Sequence, residues 1–439
     1  MSALAQQWGE SLRSAVHARG PRWLDELRLR ASDQLSTHGL PHRKDEDWKY
    51  TPMRVLEKLN PSLGGKSGDE VASELVFPAA LIEDPDCMID ICDGVLMRQE
   101  GKDRPGVTIL SLSEGLQRYE PLLRKLIESV DISGSAQAFA ALNTAALDQG
   151  LVIHIDGQVD AGTILLRWAL SGNAGPSIHN FRVFLLLGEG ARVQLVEQFE
   201  SVTDAGGALN VLVHLELGTN AVLDHLRIQN EAETSVLMSA TRIEQAQGSR
   251  YGYAGFDLGG GLVRHDLKTV FGGSDAHAAF MGAFVLDGAT HVDNHISVDH
   301  ASPDCSSEQF FRGVLGGRSR GVFNCKALIR PGADGSSVRQ SNANLLLSPW
   351  AQIDTKPELE IYADEVEASH GATVGQLDEA AIFYLRTRGM SENAARRLLV
   401  GAFCRAVTDK LENKTLAGRI TEMIDHAMPT YTENRGQVQ

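Results

Sequence analysis

Apolar and polar positions change their spacing twice along the chain. In residues 1–150 the main repeat is helical. Leu4 to Ala18 and Trp23 to Leu35 place apolar side chains three and four apart, and Gly39-Leu40-Pro41 stops the second run. LLRKLIESV and AFAALNTAAL predict further helices, GVTILSL (106–112) predicts a strand, and PHRKDEDWKYTPM (41–53) predicts a charged loop with an aromatic tip. From about Leu151 to Ile361 the texture becomes β-like. LVIHI, TILLRWAL, FRVFLLL, ARVQLVEQF, LNVLVHLEL, VLDHLRI, HISVDH and VFNCKALI are short runs rich in Val, Ile, Leu and Phe, and many alternate. After that stretch the pattern is helical again.

Glycine-bearing turns punctuate the middle region at Gly190, Gly218, Gly248, Gly273, Gly288, Gly317 and Gly332. Their successive gaps are 28, 30, 25, 15, 29 and 15 residues, near one or two multiples of a common unit. Short strands and turns at such a period predict a stacked solenoid. No long helical stretch interrupts them, which argues against βαβ units. The corners read GEGA, GTNA, GGSDA and DGAT, with few Asn-Gly or Asp-Gly hairpin signals, so a hairpin sandwich is the weaker alternative. The expected fold is mainly β: a right-handed parallel β-helix over 151–369 between an N-terminal, mainly helical domain (1–150) and a C-terminal helical domain (370–439).

In that last domain Leu377 to Arg388 predicts one helix, closed by Gly389. Ser391 caps the next, with Glu392 in its first turn. Ala395, Leu398, Leu399, Ala402, Phe403 and Val407 make its apolar stripe; Leu416, Ile420, Met423 and Ile424 repeat the pattern in a third helix. Such helices offer a face to a partner.

Composition narrows the function. The chain has 439 residues, 43% of them apolar, with 57 acids against 41 bases and a formal charge of −16. That balance argues against a nucleic-acid or anionic-membrane surface. No apolar run is long enough to cross a bilayer, and the N-terminus MSALAQQWGESLRSAVHARG has no signal-peptide core, so a cytoplasmic protein is expected. The five cysteines, Cys87, Cys92, Cys305, Cys325 and Cys404, form no C-x-x-C pair. They encode neither a zinc site nor a self-contained cluster site, and reduced, buried thiols are expected.

Several motifs carry chemistry at first sight. NPSLGGKSG (60–68) resembles a phosphate loop, but Asn60 stands where the leading glycine belongs and no apolar strand precedes it, so a linker is expected. Gly317-Arg318-Ser319-Arg320-Gly321 matches G-x-S-x-G, but a strand follows instead of a helix, so a solvated corner is expected. In HVDNHISVDH (291–300), alternation places His291, Asp293 and His295 on one strand face and Val292, Ile296 and Val298 on the other. The trio suits a divalent metal. It equally suits a polar outer face over an apolar inner one, and that reading is preferred. His370 stands at the expected switch from strand to helix, behind the acidic stretch Ala363 to Glu367. An imidazole there is a metal ligand or a packed core group.

The strings EIYADEVEASHGATVGQLDEAAIFYLRTRGMSENAARRLLVGAF (360–403) and VDNHISVDHASPDCSSEQFFRGVLGGRSRGVFNCKALI (292–329) resemble the SufB/SufD family of iron–sulfur cluster assembly proteins. PHRKDEDWKYTPM resembles the WKYT segment of that family's SufD branch. The resemblance covers the beginning, middle and end of the chain, and it implies a right-handed parallel β-helix between two helical domains. It also implies a non-catalytic scaffold that pairs with a SufB-like paralogue and, through its C-terminal helices, with a SufC-like ABC ATPase. A homodimer is implied for the isolated chain. His370 matches the histidine that the family places at the subunit interface, where it would meet iron or a nascent Fe–S cluster, with Glu365 or Glu367 as weaker contributors. Many relatives carry a cysteine two residues before that histidine; this chain has Ala368, which leaves the sulfur chemistry to cysteines of the partner. No permanently bound cofactor is implied: the cluster is transient and shared, and a reduced flavin is implied only for the whole complex. The competing readings are a β-helix carbohydrate-active enzyme (a lyase or glycosidase) and a purely structural adaptor for the ATPase.

Overall fold

The computed structural model describes residues 3–15, 20–64, 76–172, 175–204 and 206–429. From Gly150 to Gly375 the chain winds as a β-solenoid of about seven turns, each turn giving one strand to each of two ten-stranded sheets. The first sheet runs from Val107–Ser111 through Gly150–Ile155 to Gln352–Ile361; the second runs from Val95–Gly101 through Cys87–Cys92 and Asp160–Leu170 to Val366–Gly375. Pairing along the rod is parallel and in register. In the second sheet Val222 pairs with Arg250, Arg250 with His277, His277 with Ser306, Ser306 with Ser337, and Ser337 with Glu367. A rung is therefore about 27 to 31 residues long, the separations of those partners. The glycine gaps of 25 to 30 residues are whole rungs, and the gaps of 15 cross from one corner to the other.

One corner explains the turn chemistry. Gln158, Gly190, Asn220, Gly248, Asp275, Asp304 and Gly335 stack in a column, and all have positive φ, from 57° to 75°. Each donates its backbone N–H to a carbonyl of the next corner, ending with Gly335 to Glu365 at 2.7 Å. A left-handed residue once per rung selects Gly, Asn or Asp, whose side chains tolerate it best. Gly218 has a different reason: a Cβ there would come 2.8 Å from the Leu187 carbonyl of the rung below.

The rod's interior is apolar over most of its length, from Leu151, Ile153, Trp168 and Phe181 to Phe311 and Cys325. Polar groups interrupt it at mid-length. His225 lies 2.9 Å from both Glu197 and Tyr251, and Arg227 donates to Asp257 at 2.6 Å. Buried charges persist only when paired in this way.

The helices cover opposite sheets. N-terminal helices Ala3–Ala15 and Arg22–His38 lie over the first sheet, with Leu4, Trp8 and Leu35 against Ile178, Ala208 and Val236. C-terminal helices Glu392–Thr408 and Lys414–Ala427 lie over the second, with Val400, Cys404, Ile420 and Ile424 against Leu226, Ile228, Phe256 and Val314. The expected caps are present: Ser391 accepts from the Ala394 N–H, and Gly389 takes φ +90°.

Two boundaries differ from expectation. Cys87–Cys92 and Val95–Gly101 are strands inside the span expected to be mainly helical, drawn into the second sheet by pairing with Asp160–Leu170. The strand Val366–Gly375 continues through His370, and the helix Glu379–Thr387 begins only after Asp378 caps it. The Gly65-Lys66-Ser67 part of the phosphate-loop likeness lies outside the described residues; just before it, Ser62–Leu63 pair with Ser177–Ile178.

Candidate functional site

His291, Asp293 and His295 do share the outer face of their strand, and the side chains beside them show what they do. Asp293 is fully buried. Arg264 donates to it at 2.6 Å, His295 Nε2 lies 2.9 Å away, and Thr51 Oγ1 also donates to it. Burial alone would raise the Asp293 carboxyl; Arg264, then His295 and Thr51, outweigh it and hold the group well below the usual carboxylate range. Burial pushes the His291 imidazole down to about 4. The same Arg264 donates to both Asp266 oxygens and to the Asp47 carbonyl, and its guanidinium lies 3.9 Å from the Trp48 ring centroid. The trio is therefore a clasp for the Trp48–Thr51 loop, and the hydrogen-bonded outer face is the reading that the geometry supports.

The G-x-S-x-G likeness is a corner, as expected, but not a solvated one. Ser319 is fully buried and donates to the Gly316 carbonyl at 2.7 Å. All five cysteines are free and buried. Burial pushes the thiols up: Cys87 to about 11, Cys92 and Cys404 to about 12, and Cys325 further. None is set up as a thiolate nucleophile or ligand in this conformation.

The remaining candidate, His370, lies at the far end of the rod. Strands Gln352–Ile361 and Val366–Gly375 end the two sheets, each bonded on one side only among the described residues. The first is guarded, carrying Lys356, Pro357, Glu358 and Glu360. Proline and charge discourage strand addition. The second, VEASHGATVG, has one carboxylate, no lysine, no arginine and no proline, and nine of its ten residues are exposed. A Cβ at Gly371 or Gly375 would meet nothing within 4 Å, so no neighbour among the described residues demands glycine there. A bare strand edge with two glycines is what the close approach of another backbone uses.

On that strand His370 is exposed and pairs in register with Gln340. Alternation puts Ala368, His370, Ala372 and Val374 on the face continuing the rod's interior, and Glu367 on the opposite face. Glu365 is a corner residue whose N–H approaches the Asp334 carboxylate at 3.2 Å. The strand thus turns Glu367 away from the imidazole, and Glu365 stands outside it. Ala368 does share the His370 face, so a cysteine at that position would stand beside the ring. Among the described residues no three His, Cys, Asp or Glu side chains gather as a metal site. Gln309 and Gln340, which share the His370 column, carry no motif; the signal that marks them is their spacing, one rung apart and one rung before His370.

A second exposed surface is on the C-terminal helices. Phe383 and Tyr384 on Glu379–Thr387 are 67% and 56% exposed, and Leu398 on the next helix is 42% exposed. These side chains point away from the apolar contact with the rod.

Two family models match the chain: the SufBD protein N-terminal region over residues 7–165 and the SufBD core domain of the SUF system for FeS cluster assembly over residues 170–403. The chain is 29% identical to the iron–sulfur cluster assembly protein SufD of Escherichia coli, over 97% of this chain and 96% of that protein. It is 28% identical to an iron–sulfur cluster assembly SufBD family protein of Synechocystis, over 90% and 89%. It is 26% identical to the chloroplastic protein ABCI7 of Arabidopsis thaliana, over 93% and 88%. With a core match spanning most of the solenoid and reaching into the helix Glu392–Thr408, the chain belongs to the SufBD family of iron–sulfur cluster assembly proteins.

Proposed function

We propose that this chain is a non-catalytic scaffold subunit of a cytoplasmic SUF-type complex, and that the bare strand Val366–Gly375 is where it meets a SufB-like paralogue. The observation that carries this reading is the asymmetry of the rod's end: one edge guarded by Pro357 and charge, the other bare, with His370 on it. One imidazole cannot hold a cluster. The other ligands come from the partner, whose cysteines supply the thiolates that Ala368 does not. His370 is the ligand that this chain contributes to iron or to a nascent cluster, and this contribution supports iron acquisition. Glu367, on the opposite strand face, and Glu365, in the corner before the strand, are given no ligand role in this reading. In the absence of the paralogue, the same edge pairs two copies of this chain.

The exposed Phe383, Tyr384 and Leu398 are the docking face for a SufC-like ABC ATPase. ATP binds the closed ATPase pair better than the open one, and that differential affinity drives closure. Closure pulls the C-terminal helices and shifts the two rods at their contact, which opens His370 to iron and sulfur. A reduced flavin is left to the assembled complex. Family membership sets aside the carbohydrate-active alternative.

Co-expression with the paralogue and the ATPase, followed by affinity capture of this chain, tests the reading. Both companions should be recovered. Phe383→Asp/Tyr384→Asp should lose the ATPase and keep the paralogue. Recovery of neither companion by the unaltered chain would contradict the reading.

A further inference from the structure

The column that ends in His370 is unusual below its surface. Phe280, Gln309, Gln340 and His370 stack in register on four successive rungs. Gln309 is 2% exposed and Gln340 is 6% exposed, yet neither the oxygen nor the nitrogen of either amide has a partner among the described residues. Beside them Asn342 Nδ2 and Asn344 Oδ1 are also buried and unpartnered. The other halves of those two amides are engaged: Asn344 Nδ2 donates to Asn342 Oδ1 at 2.5 Å, and Thr355 Oγ1 donates to the same oxygen at 2.9 Å. Three amide nitrogens and three amide oxygens are thus left in the last turns of the rod.

An unsatisfied buried polar group costs about 1–3 kcal/mol. Six of them together would cost as much as the whole net stability of a typical domain, about 5–15 kcal/mol. Something therefore satisfies them. An anion needs donors only, and a cation needs acceptors only. This set offers both in equal number, which matches a small guest that donates and accepts at once. Water fits that description, and buried waters typically take about three such partners.

We propose that the last rungs enclose a hydrated chamber beneath His370, and that Gln340 is a positioning residue for its ring. A metal-binding imidazole uses one nitrogen and must place the other N–H on an acceptor, which fixes the tautomer and the ring's orientation. The Gln340 amide oxygen is the acceptor one strand away, reached through one chamber water. Gln309 holds the water layer below. The positioning role rests on the reading of His370 as a ligand; the chamber does not.

Two measurements on the full chain, without iron or sulfide, test this. A high-resolution crystal structure should show ordered water hydrogen-bonded to the Gln309 and Gln340 amides. A dry chamber with the amides bonded to each other would overturn the chamber. Selective ¹⁵N-histidine NMR, at a pH where the ring is neutral, reads the tautomer of His370, with His370→Ala assigning its signals. Gln340→Leu should change the tautomer ratio at least about twofold, and Gln340→Glu, which keeps an acceptor, should hold the wild-type preference. An unchanged ratio in Gln340→Leu would overturn the positioning role. Neither result depends on cluster assembly, so failure here is distinguishable from failure of the ligand assignment.

Discussion

Replacing Arg264 with methionine should loosen the Trp48–Thr51 loop from the rod. Arg264 is 2% exposed, and its guanidinium serves Asp293 at 2.6 Å, Asp266 at 2.9 and 2.7 Å, and the Asp47 carbonyl at 2.8 Å, while covering the Trp48 ring. Methionine keeps the apolar stem and removes every donor. Asp293, with no exposed surface, is then a buried carboxylate held only by His295 and Thr51. Breaking a buried ion pair from one side costs about 3–5 kcal/mol. Adding Asp293→Asn removes the stranded charge, so the double variant should be more stable than the sum of the two single losses by about 1–3 kcal/mol. The pH dependence has a definite sign. The Asp293 carboxyl is held below its ordinary value, so its contribution is complete above about pH 4 and is lost as pH falls through the folded value. Arg264→Met should flatten that acid limb. Urea unfolding followed by tryptophan fluorescence measures the stability, and limited proteolysis within residues 42–53 measures the release of the loop. A loss under about 1 kcal/mol, or strict additivity with Asp293→Asn, would refute the clasp.

Other expectations concern single groups. Val374 is 50% exposed on the bare edge, so Val374→Lys should change the thermal midpoint of the isolated chain little and sharply reduce capture of the paralogue; unchanged capture would count against that edge. Burial raises the Cys87, Cys92 and Cys404 thiols, so iodoacetamide at pH 8 should label the native chain far more slowly than the unfolded chain, and rapid native labelling of any of the three would contradict their burial. Burial, reinforced by Glu244 beside it, raises the Glu216 carboxyl to about 7. The folded state then binds the proton more tightly than the unfolded one, and stability falls as pH rises from about 4.3 to 7. Glu216→Gln should raise stability by roughly 1–3 kcal/mol at pH 8 and leave it nearly unchanged at pH 4, and an equal effect at both would sink that assignment.

Much of the rod was legible because its corners repeat. Gly190 and Gly248 mark the left-handed corner, and Gly218 and Gly273 mark its close-packed start, so their spacing carried the rung. Asn220, Asp275 and Asp304 do the same work without glycine, which is why the glycine series alone skips rungs. The strand through His370 was not legible beyond Ser369. EASHGATVG is rich in small residues, and its extended form comes from pairing with Ser336–Leu346, a contact thirty residues away. Cys87–Cys92 was missed for a similar reason: Asp90 in its middle is stabilised by Arg167, a partner 77 residues on. The His291–Asp293–His295 face was visible as a pattern, but its occupant, the Trp48–Thr51 loop, lies about 240 residues earlier and has no local signal. Position and chemistry left His370 open between a metal ligand and a packed core group, and the resemblance tied it to a subunit interface; its placement on an exposed edge came from the fold.

The most direct test of the central claim is iron and acid-labile sulfide content, measured anaerobically on the assembled complex captured from cells. With His370→Ala the complex should keep all its subunits and lose most of its iron and sulfide. Wild-type iron and sulfide in that variant would make this chain a structural adaptor, and would contradict a ligand role for the imidazole at the end of the rod.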